Sequence, residues 1–130
     1  MPAVTVYYPR GLFDSTDKVR FRRTVKQRVA IHMDAVNPVT KKRTKFGEDP
    51  DGSIDLILIP YDHDDAEVTA LCVGTIATFE WPDRVTNLDE RMKAITEAAL
   101  AALPPHELRV GQDSISFSFL GMLPGSWCAL

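Results

Sequence analysis

Pro2 is the residue of this sequence with the clearest potential for chemistry, because removal of Met1 would make it a free amino terminus. Met1 is commonly removed when the following residue is small. The resulting secondary amine would be a base near neutral pH, since an α-amino group has an ordinary pKa of about 7.7 to 8.0 and burial or nearby cations lower that pKa. Many chains begin with Met-Pro without a catalytic role, so the position alone leaves both interpretations open.

Two acidic segments raise the question of a metal site. Residues 62–67 contain four carboxylates and His63, and Asp49-Pro50-Asp51-Gly52-Ser53 has the composition of a calcium loop. The second segment misplaces its glycine for an EF-hand, and the first lacks a pair of ligands spaced on one helix face. We interpret both segments as solvated turns and expect no metal ion.

The composition predicts one ordinary globular domain that spans residues 1–130. The chain is 45% hydrophobic and 25% charged, and no apolar run approaches the roughly 20 residues that a membrane helix needs. No signal peptide is visible, because the first apolar segment is short and lacks a basic region before it. Cys72 and Cys128 form neither a metal motif nor a disulfide framework. We therefore expect a cytoplasmic protein with reduced thiols and no membrane partner.

Charge is divided unevenly along the chain. Residues 1–45 hold 11 of the 15 Lys and Arg residues but only three acids, whereas the remainder holds four basic and 15 acidic residues. Such asymmetry is compatible with a nucleic-acid surface. No aromatic residues are interleaved with the basic run, so we favour basic and acidic faces that meet within the domain or between its copies, and we do not expect a nucleic-acid partner.

The first half of the chain predicts a strand followed by a helix. Residues 2–8 alternate, include β-branched and aromatic side chains and stop at Pro9-Arg10-Gly11, as a short strand does. Asp14 or Ser15 then caps a helix that runs from Asp17 to about Val36 and ends before a proline. Its apolar stripe is predicted to consist of Phe21, Val25, Val29, His32 and Val36.

Three further strands and a second helix follow. Residues 54–59 form an almost continuous apolar run, typical of a strand covered on both faces, and residues 68–79 form another long strand. Asn87 and Glu90 have the spacing of a capping box for a helix that ends at Pro104-Pro105. The last predicted strand covers 114–119, with Ile115, Phe117 and Phe119 on one face and Ser114, Ser116 and Ser118 on the other.

The order strand, helix, strand therefore occurs twice, which indicates an internal duplication. Two right-handed β-α-β units that share one four-stranded sheet place both helices on the same face and form a two-layer α/β (α+β) sandwich. The face without helices then needs a cover. Association with other copies of the chain is the simplest cover, so we expect an oligomer.

With this order of elements, the sequence resembles the tautomerase superfamily, the group of 4-oxalocrotonate tautomerase, macrophage migration inhibitory factor, malonate semialdehyde decarboxylase and cis-3-chloroacrylic acid dehalogenase. The resemblance covers nearly the whole chain. It rests on Pro2 at the start of the first strand, on the duplicated units, and on residues 119–127, which are similar to the family's closing segment. The order of these features carries the resemblance rather than any single motif.

The resemblance implies a homotrimer of two-layer subunits, with the amino-terminal proline at the bottom of a pocket partly built by a neighbouring chain. In tautomerising members this proline moves a proton between the carbon and oxygen ends of an enol or α-keto acid. An amine in a dry pocket can accept the proton, and cations can hold the carboxylate and the developing enolate. No metal or organic cofactor is needed.

Five further residues are implied as substrate-binding. Arg84 follows the 68–79 strand, where dehalogenase and decarboxylase members place arginines, and is the implied carboxylate clamp, although it could be a solvated loop arginine. Arg10 lies in the equivalent loop of the first half and could supply a second cation. His32 lies close to where the cis-dehalogenase has a substrate-binding histidine, while a core histidine bonded to a carbonyl is the commoner arrangement. Ser116 and Ser118 could bind a carboxylate or water, or line an oligomer interface.

Some members' features are missing from this sequence. Dehalogenase and decarboxylase relatives carry a pair of arginines where this chain has Glu80 and Asp83 beside a single Arg84. The tail also lacks the acid that activates water in the hydrating dehalogenase. These departures disfavour decarboxylation, dehalogenation and hydration.

We therefore predict a cofactor-independent keto-enol tautomerase or isomerase that acts on a small α-keto or enol carboxylic acid, with Pro2 as general base. The alternative is a non-catalytic tautomerase-fold module for binding or assembly. In that alternative Met1 is retained, the Pro2 nitrogen is an amide without useful basicity, and the basic helix face around Arg22, Arg23 and Lys26 binds a partner.

Overall fold

A four-stranded mixed sheet forms one layer of the protein in the computed structural model, which describes residues 1–123. Its strands are β1 (Ala3–Pro9), β2 (Asp55–Tyr61), β3 (Ala70–Phe79) and β4 (Asp113–Met122), in the spatial order β2-β1-β3-β4. β1 is parallel to β2, and β3 is parallel to β4. The two parallel pairs meet through the antiparallel pair of β1 and β3, which confirms the predicted duplication.

The helices form the second layer. They are α1 (Ser15–His32), α2 (Pro50–Ser53), α3 (Pro82–Val85) and α4 (Leu88–Ala101), with short 3-10 helices at Phe46–Glu48 and His63–Asp65. The two long helices, α1 and α4, contact each other and contribute side chains to one core against the sheet. Within residues 1–123, none of the helices combines the length and apolar character that crossing a membrane requires.

The start of α1 agrees with the sequence pattern, but its end does not. Asp14 is the N-cap, and its Oδ1 accepts a hydrogen bond from the Asp17 N–H at 2.7 Å. The helix ends at His32, so the prediction that it continues to Val36 is wrong. The N–H of Val36 instead donates to the Asp83 carboxylate at 2.8 Å. A contact from a residue 47 positions away therefore directs the chain out of the helix.

The start of α4 also differs from the predicted capping box. Asn87 is the N-cap, yet its side chain makes no capping hydrogen bond. The Oδ1 atom of Asn87 accepts instead from Nε of Arg91 at 2.7 Å. The predicted capping box of Asn87 and Glu90 is therefore wrong, because Arg91 of the same helix binds the Asn87 side chain that would have capped the helix.

Alternation along the strands divides the sheet into a core face and a bare face. The core face contacts the helices through these residues: Val4, Val6, Tyr8, Cys72, Ile76, Ile115, Phe117 and Phe119. The predicted arrangement of β4, with its aromatic side chains facing the helices, is confirmed. Pro124 to Trp127 of the predicted closing segment lie outside the described residues.

The bare face is the side of the sheet opposite the helices, and apolar side chains are exposed on it. Tyr7 of β1, Ile57 of β2 and Leu120 of β4 are all solvent-exposed in the single chain, Ile57 to 59%. β2 is an edge strand of the sheet. The prediction that both faces of this strand are covered is therefore wrong for one chain on its own.

Gly74 is required by close packing inside the sheet, which yields a stability prediction. A Cβ atom at Gly74 would lie 2.3 Å from Cε1 of Phe117, and the Phe117 ring packs against the core. We expect Gly74→Ala to lower the free energy of unfolding by about 1 to 3 kcal/mol. Urea denaturation measures this difference.

Gly47→Ala is the matched control, because the nearest atom to a Cβ there is 3.9 Å away. We expect the control to change the unfolding free energy by less than about 0.5 kcal/mol. Shortening Phe117 to Leu should make Gly74→Ala less damaging, since the two residues are coupled by the same contact. Equal effects of both glycine substitutions would contradict the packing described here.

Candidate functional site

Pro2 lies at one end of the sheet, immediately before β1. Its side chain is less than 2% exposed, whereas Met1 is 61% exposed. The Pro2 carbonyl accepts a hydrogen bond from the Asp55 N–H at 3.1 Å, so the β1–β2 ladder extends to this residue. One step outward from the Ala3–Ala77 pair of β1 and β3 places Thr78 opposite Pro2. Directly opposite residues of an antiparallel pair have Cα atoms about 5 Å apart.

Arg84 connects this end of the sheet to the end of α1. Its Nη1 donates to Thr78 Oγ1 at 3.1 Å and to the Phe79 carbonyl at 2.7 Å. Its Nε donates to the Met33 carbonyl at 2.9 Å, and Nη2 donates to the same oxygen. The guanidinium also lies 4.9 Å from the centre of the Trp81 ring. The Arg84 guanidinium is therefore hydrogen-bonded to Thr78, the residue that lies opposite Pro2.

The burial of Arg84 distinguishes it from a solvated loop arginine, because the residue is only 1% exposed. Within residues 1–123 no carboxylate lies within ion-pair distance of it. The pKa of Arg84 is lowered to about 10: burial is the largest cause, the nearby Arg91 also lowers it, and Asp34 and Asp83 act in the opposite direction. Four of its five N–H donors already bind the Met33 and Phe79 carbonyls and the Thr78 hydroxyl, so holding a substrate carboxylate with two hydrogen bonds would require it to break existing ones.

A second arginine holds the same turn and was not identified from the sequence. Arg91 Nη1 donates to the His32 carbonyl at 2.6 Å and to the Asp34 carbonyl at 2.8 Å, and Nη2 donates to the Asp83 carbonyl at 2.8 Å. Cations are favourable here because the last carbonyls of a helix carry partial negative charge. The sequence signal that could have identified Arg91 is its position as a basic residue in the first turn of α4, where the helix dipole favours acidic residues.

Asp83 fixes the segment that follows α1. Besides accepting from the Val36 N–H, its carboxylate lies 3.8 Å from Arg43 Nη2. Arg43 Nη1 lies 3.9 Å from Asp34, which also accepts a hydrogen bond from the Thr44 hydroxyl. Asp83, the acid next to Arg84 in the sequence, therefore organises the neighbouring loop.

His32 lies at the same end of the molecule as Pro2 and Arg84. It is the last residue of α1 and is partly buried. Burial lowers the pKa of its imidazole, and the nearby Arg28 and Arg91 lower it further. At neutral pH the ring is therefore uncharged, so it could offer a hydrogen bond to a ligand but not a positive charge.

The other three predicted site residues lie elsewhere in the single chain. Arg10 follows the far end of β1, and its Nε pairs with Asp62 at 2.8 Å. At about 3.3 Å per strand residue, Arg10 is more than about 20 Å from Pro2. Ser116 and Ser118 pair with Val73 and Thr75 and are exposed on the bare face. One chain thus brings together Pro2, Arg84 and His32, but not Arg10 or the two serines.

The acidic segment 62–67 has structural partners instead of the ligand geometry of a metal site. Asp62 binds Arg10, and Arg109 Nη2 donates to His63 Nδ1 at 3.2 Å. Among residues 1–123, no group of three or more His, Cys, Asp or Glu side chains is arranged to hold a metal ion.

Comparisons with known proteins identify the fold. Neither protein-family models nor curated proteins match the sequence. Solved structures do match: the asymmetric trimer of F6 fused 4-OT, wild type, aligns with a TM-score of 0.68 at 12% identity, over 97% of this chain and 90% of that one. RhCC from Rhodococcus jostii RHA1 aligns with a TM-score of 0.61 at 8% identity, over 98% of this chain and 81% of that one.

A third structure is FG41 malonate semialdehyde decarboxylase inhibited by 3-bromopropiolate, with a TM-score of 0.58 at 14% identity, over 98% of this chain and 88% of that one. These proteins are members of the tautomerase superfamily. At such identities the likeness shows the fold alone. The chain described here has the tautomerase fold, as its sequence predicted.

The arrangement around Arg84 yields a second stability prediction. Arg84→Met keeps much of the side-chain volume but removes the hydrogen bonds that Arg84 donates to the buried Met33 carbonyl and to the Thr78 hydroxyl. Because a buried acceptor without a partner costs about 1 to 3 kcal/mol, we expect a loss of about 1 to 3 kcal/mol in unfolding free energy. Arg84→Lys should recover only part of it, since an ammonium cannot span both acceptors.

Arg23→Met is the control for this experiment, because Arg23 is exposed on the outer side of α1. Chemical denaturation of the three variants should rank them with Arg84→Met least stable and the control close to the unmodified chain. If Arg84→Met were as stable as the control, the buried guanidinium would not be holding α1 to the sheet.

Proposed function

We propose that this chain is a cytoplasmic, cofactor-independent keto-enol tautomerase or isomerase that acts on a small α-keto or enol carboxylic acid. The observation that carries the proposal is the burial of Pro2 opposite Thr78, whose hydroxyl accepts a hydrogen bond from Arg84. The tautomerase fold supports it, because Pro2 stands immediately before β1, the first strand of that fold.

Removal of Met1 would convert the Pro2 nitrogen from an amide into a secondary amine. The side chain of Pro2 is buried while Met1 is exposed, so the new amine would lie where the buried ring meets solvent. The amine accepts the hydroxyl proton of the enol and returns it to the carbon end, which yields the keto acid. Low polarity around the ring favours the neutral amine, because burial disfavours a charged ammonium.

Arg84 assists Pro2 in this proposal through its charge. A buried cation close to an amine disfavours the protonated form of that amine and so keeps Pro2 available as a base. The same charge stabilises negative charge that develops on an enolate oxygen. Arg84 performs both roles while it remains bonded to Met33 and Phe79, and the carboxylate then needs another partner.

We propose that a neighbouring subunit of an oligomer supplies the partner of the substrate carboxylate. Arg10 is too far from Pro2 of its own chain, so a neighbouring subunit would have to supply it. Ser116 and Ser118 would likewise meet a substrate only where the bare face of one subunit covers another, and uncharged His32 could add a hydrogen bond. The exposed apolar residues of the bare face support a homo-oligomer, and the F6 fused 4-OT structure is a trimer. A homotrimer with shared pockets is our preferred assembly.

A second candidate function is the non-catalytic module with Met1 retained. The observation that favours it is the outer side of α1, where Arg22 and Arg23 are exposed and make no ion pair with any of residues 1–123. Lys26 has only a 3.9 Å contact with the exposed Asp51. Intact mass of protein from its native host separates the two functions, since the enzyme requires the loss of Met1.

The catalytic proposal is tested by replacing Pro2 with Ala, a residue that also permits removal of Met1. We expect the rate of enol ketonisation to fall by about 100-fold or more, because general-base catalysis contributes about 10² to 10⁴. The measurement is the decay of enol absorbance with phenylpyruvate or a 2-hydroxydienoate, on preparations whose loss of Met1 has been verified by mass. Equal rates for the two proteins would rule Pro2 out as the base.

The proposed assembly is tested by a charge on the bare face. We expect Ile57→Arg to convert the oligomer into monomers, since burying an unpaired guanidinium in an apolar interface is strongly unfavourable. Light scattering after size-exclusion chromatography measures the mass. Val110→Arg, at a fully exposed position of a turn, is the control and should leave the mass unchanged. An unchanged mass for Ile57→Arg would exclude this face as the interface.

A further inference from the structure

His106 and Ser114 form a hydrogen-bonded pair that the proposed tautomerase chemistry does not use. Nε2 of His106 lies 2.8 Å from the hydroxyl oxygen of Ser114, and Nδ1 of the same ring lies 2.8 Å from the Pro104 carbonyl oxygen. Both side chains are partly buried. Ser114 is the second residue of β4, and His106 lies in the loop that joins α4 to this strand.

The Pro104 carbonyl determines which nitrogen of the neutral ring carries the proton. A carbonyl oxygen can only accept, so Nδ1 must donate to it. Nε2 is then the unprotonated nitrogen and accepts the hydrogen bond that the Ser114 hydroxyl donates. This is the arrangement of an activated nucleophile: a hydroxyl beside a base, with the base oriented by a third group.

A cleft of about 320 Å³ borders Ser114. Its volume is within the range of about 300 to 1,000 Å³ that small-molecule sites occupy. It is lined by Thr96 and Leu100 of α4, by Leu108 and Gln112 of the loop, and by Asp113, Ser114 and Ile115 of β4. The hydroxyl of the pair therefore belongs to a residue that borders a mainly apolar cleft.

The main chain of β4 adds a donor beside this hydroxyl. The Asp113 N–H donates to the Thr69 carbonyl at 2.9 Å, toward β3. Successive N–H groups of a strand point to opposite sides, so the Ser114 N–H points away from β3, toward the outer edge of the sheet. The nucleophile's own N–H is one of the groups that stabilise the oxyanion in serine hydrolases.

We propose that Ser114 and His106 form a second, independent active site that hydrolyses small carboxylic esters by acyl transfer. The Ser114 oxygen bonds to the ester carbonyl carbon while its proton passes to Nε2 of His106. The carbon–oxygen bond to the alcohol then breaks, and the departing oxygen takes that proton from His106. Water attacks the acyl-Ser114 ester with His106 as base, which releases the acid and restores the serine.

The lining of the cleft indicates the class of ester. Leu100, Leu108 and Ile115 provide apolar contacts for a short acyl chain. Asp113 also borders this space, and its negative charge would repel an anionic acyl group. The substrate class is therefore a neutral or cationic ester with a short acyl chain, unlike the anionic keto acid proposed for Pro2.

The experiment combines covalent labelling with kinetics on the full chain. A fluorophosphonate probe followed by peptide mass mapping should place the adduct on Ser114. With p-nitrophenyl acetate, Ser114→Ala and His106→Gln should each lower the hydrolysis rate by about 100-fold or more. Ser53→Ala, which removes a serine in α2 far along the chain from this pair, should hydrolyse the ester at the unmodified rate.

The outcomes separate this site from Pro2. Labelling confined to Ser114, together with enol ketonisation that is unchanged in Ser114→Ala, supports two independent sites. Labelling of the unmodified chain does not depend on whether a variant folds, so an absent adduct, or one spread over several serines, overturns the proposal. Ester hydrolysis that survives in folded Ser114→Ala overturns it equally.

Discussion

The buried guanidinium of Arg84 is the interaction on which the arrangement of this end of the molecule depends. It joins the last turn of α1 to the end of β3 through two main-chain carbonyls and the Thr78 hydroxyl. Burying a cation is unfavourable unless its hydrogen bonds are made. The helix layer and the sheet layer are thus connected by a polar contact where the apolar core ends. The same guanidinium binds Thr78, the residue opposite Pro2.

Arg91, Asp83 and Arg43 extend this connection into the loop after α1. Together they bind carbonyls, an N–H group and a carboxylate within residues 32–36. A segment that would otherwise continue a helix is held open instead, and His32 is left beside two cations. Burial lowers the pKa of the His32 imidazole, and the nearby Arg28 and Arg91 lower it further. The shape of the loop and the electrostatics of the candidate site therefore have a common origin.

The fold could be predicted because its signals are local. Alternation in the strands, the Asp14 cap and the apolar face of α1 follow from residues a few positions apart. The end of α1 could not be predicted, since it depends on Asp83 and two arginines more than 45 positions away. For the site, Pro2, Arg84 and His32 do lie at one end. Whether Arg10 and Ser116 join them depends on how chains associate, which the pattern of one chain does not determine.

The placement of Pro2 in front of the central strand also bears on how the protein can be prepared. Its ring is buried and its carbonyl is already part of the β1–β2 ladder. Met1 itself points to solvent, and an extension attached there would not disturb the core. A recombinant protein with an amino-terminal tag would therefore fold normally, yet its proline nitrogen would remain an amide. Such a preparation would have a good yield and the correct structure but would lack the basic amine that the proposed catalysis requires.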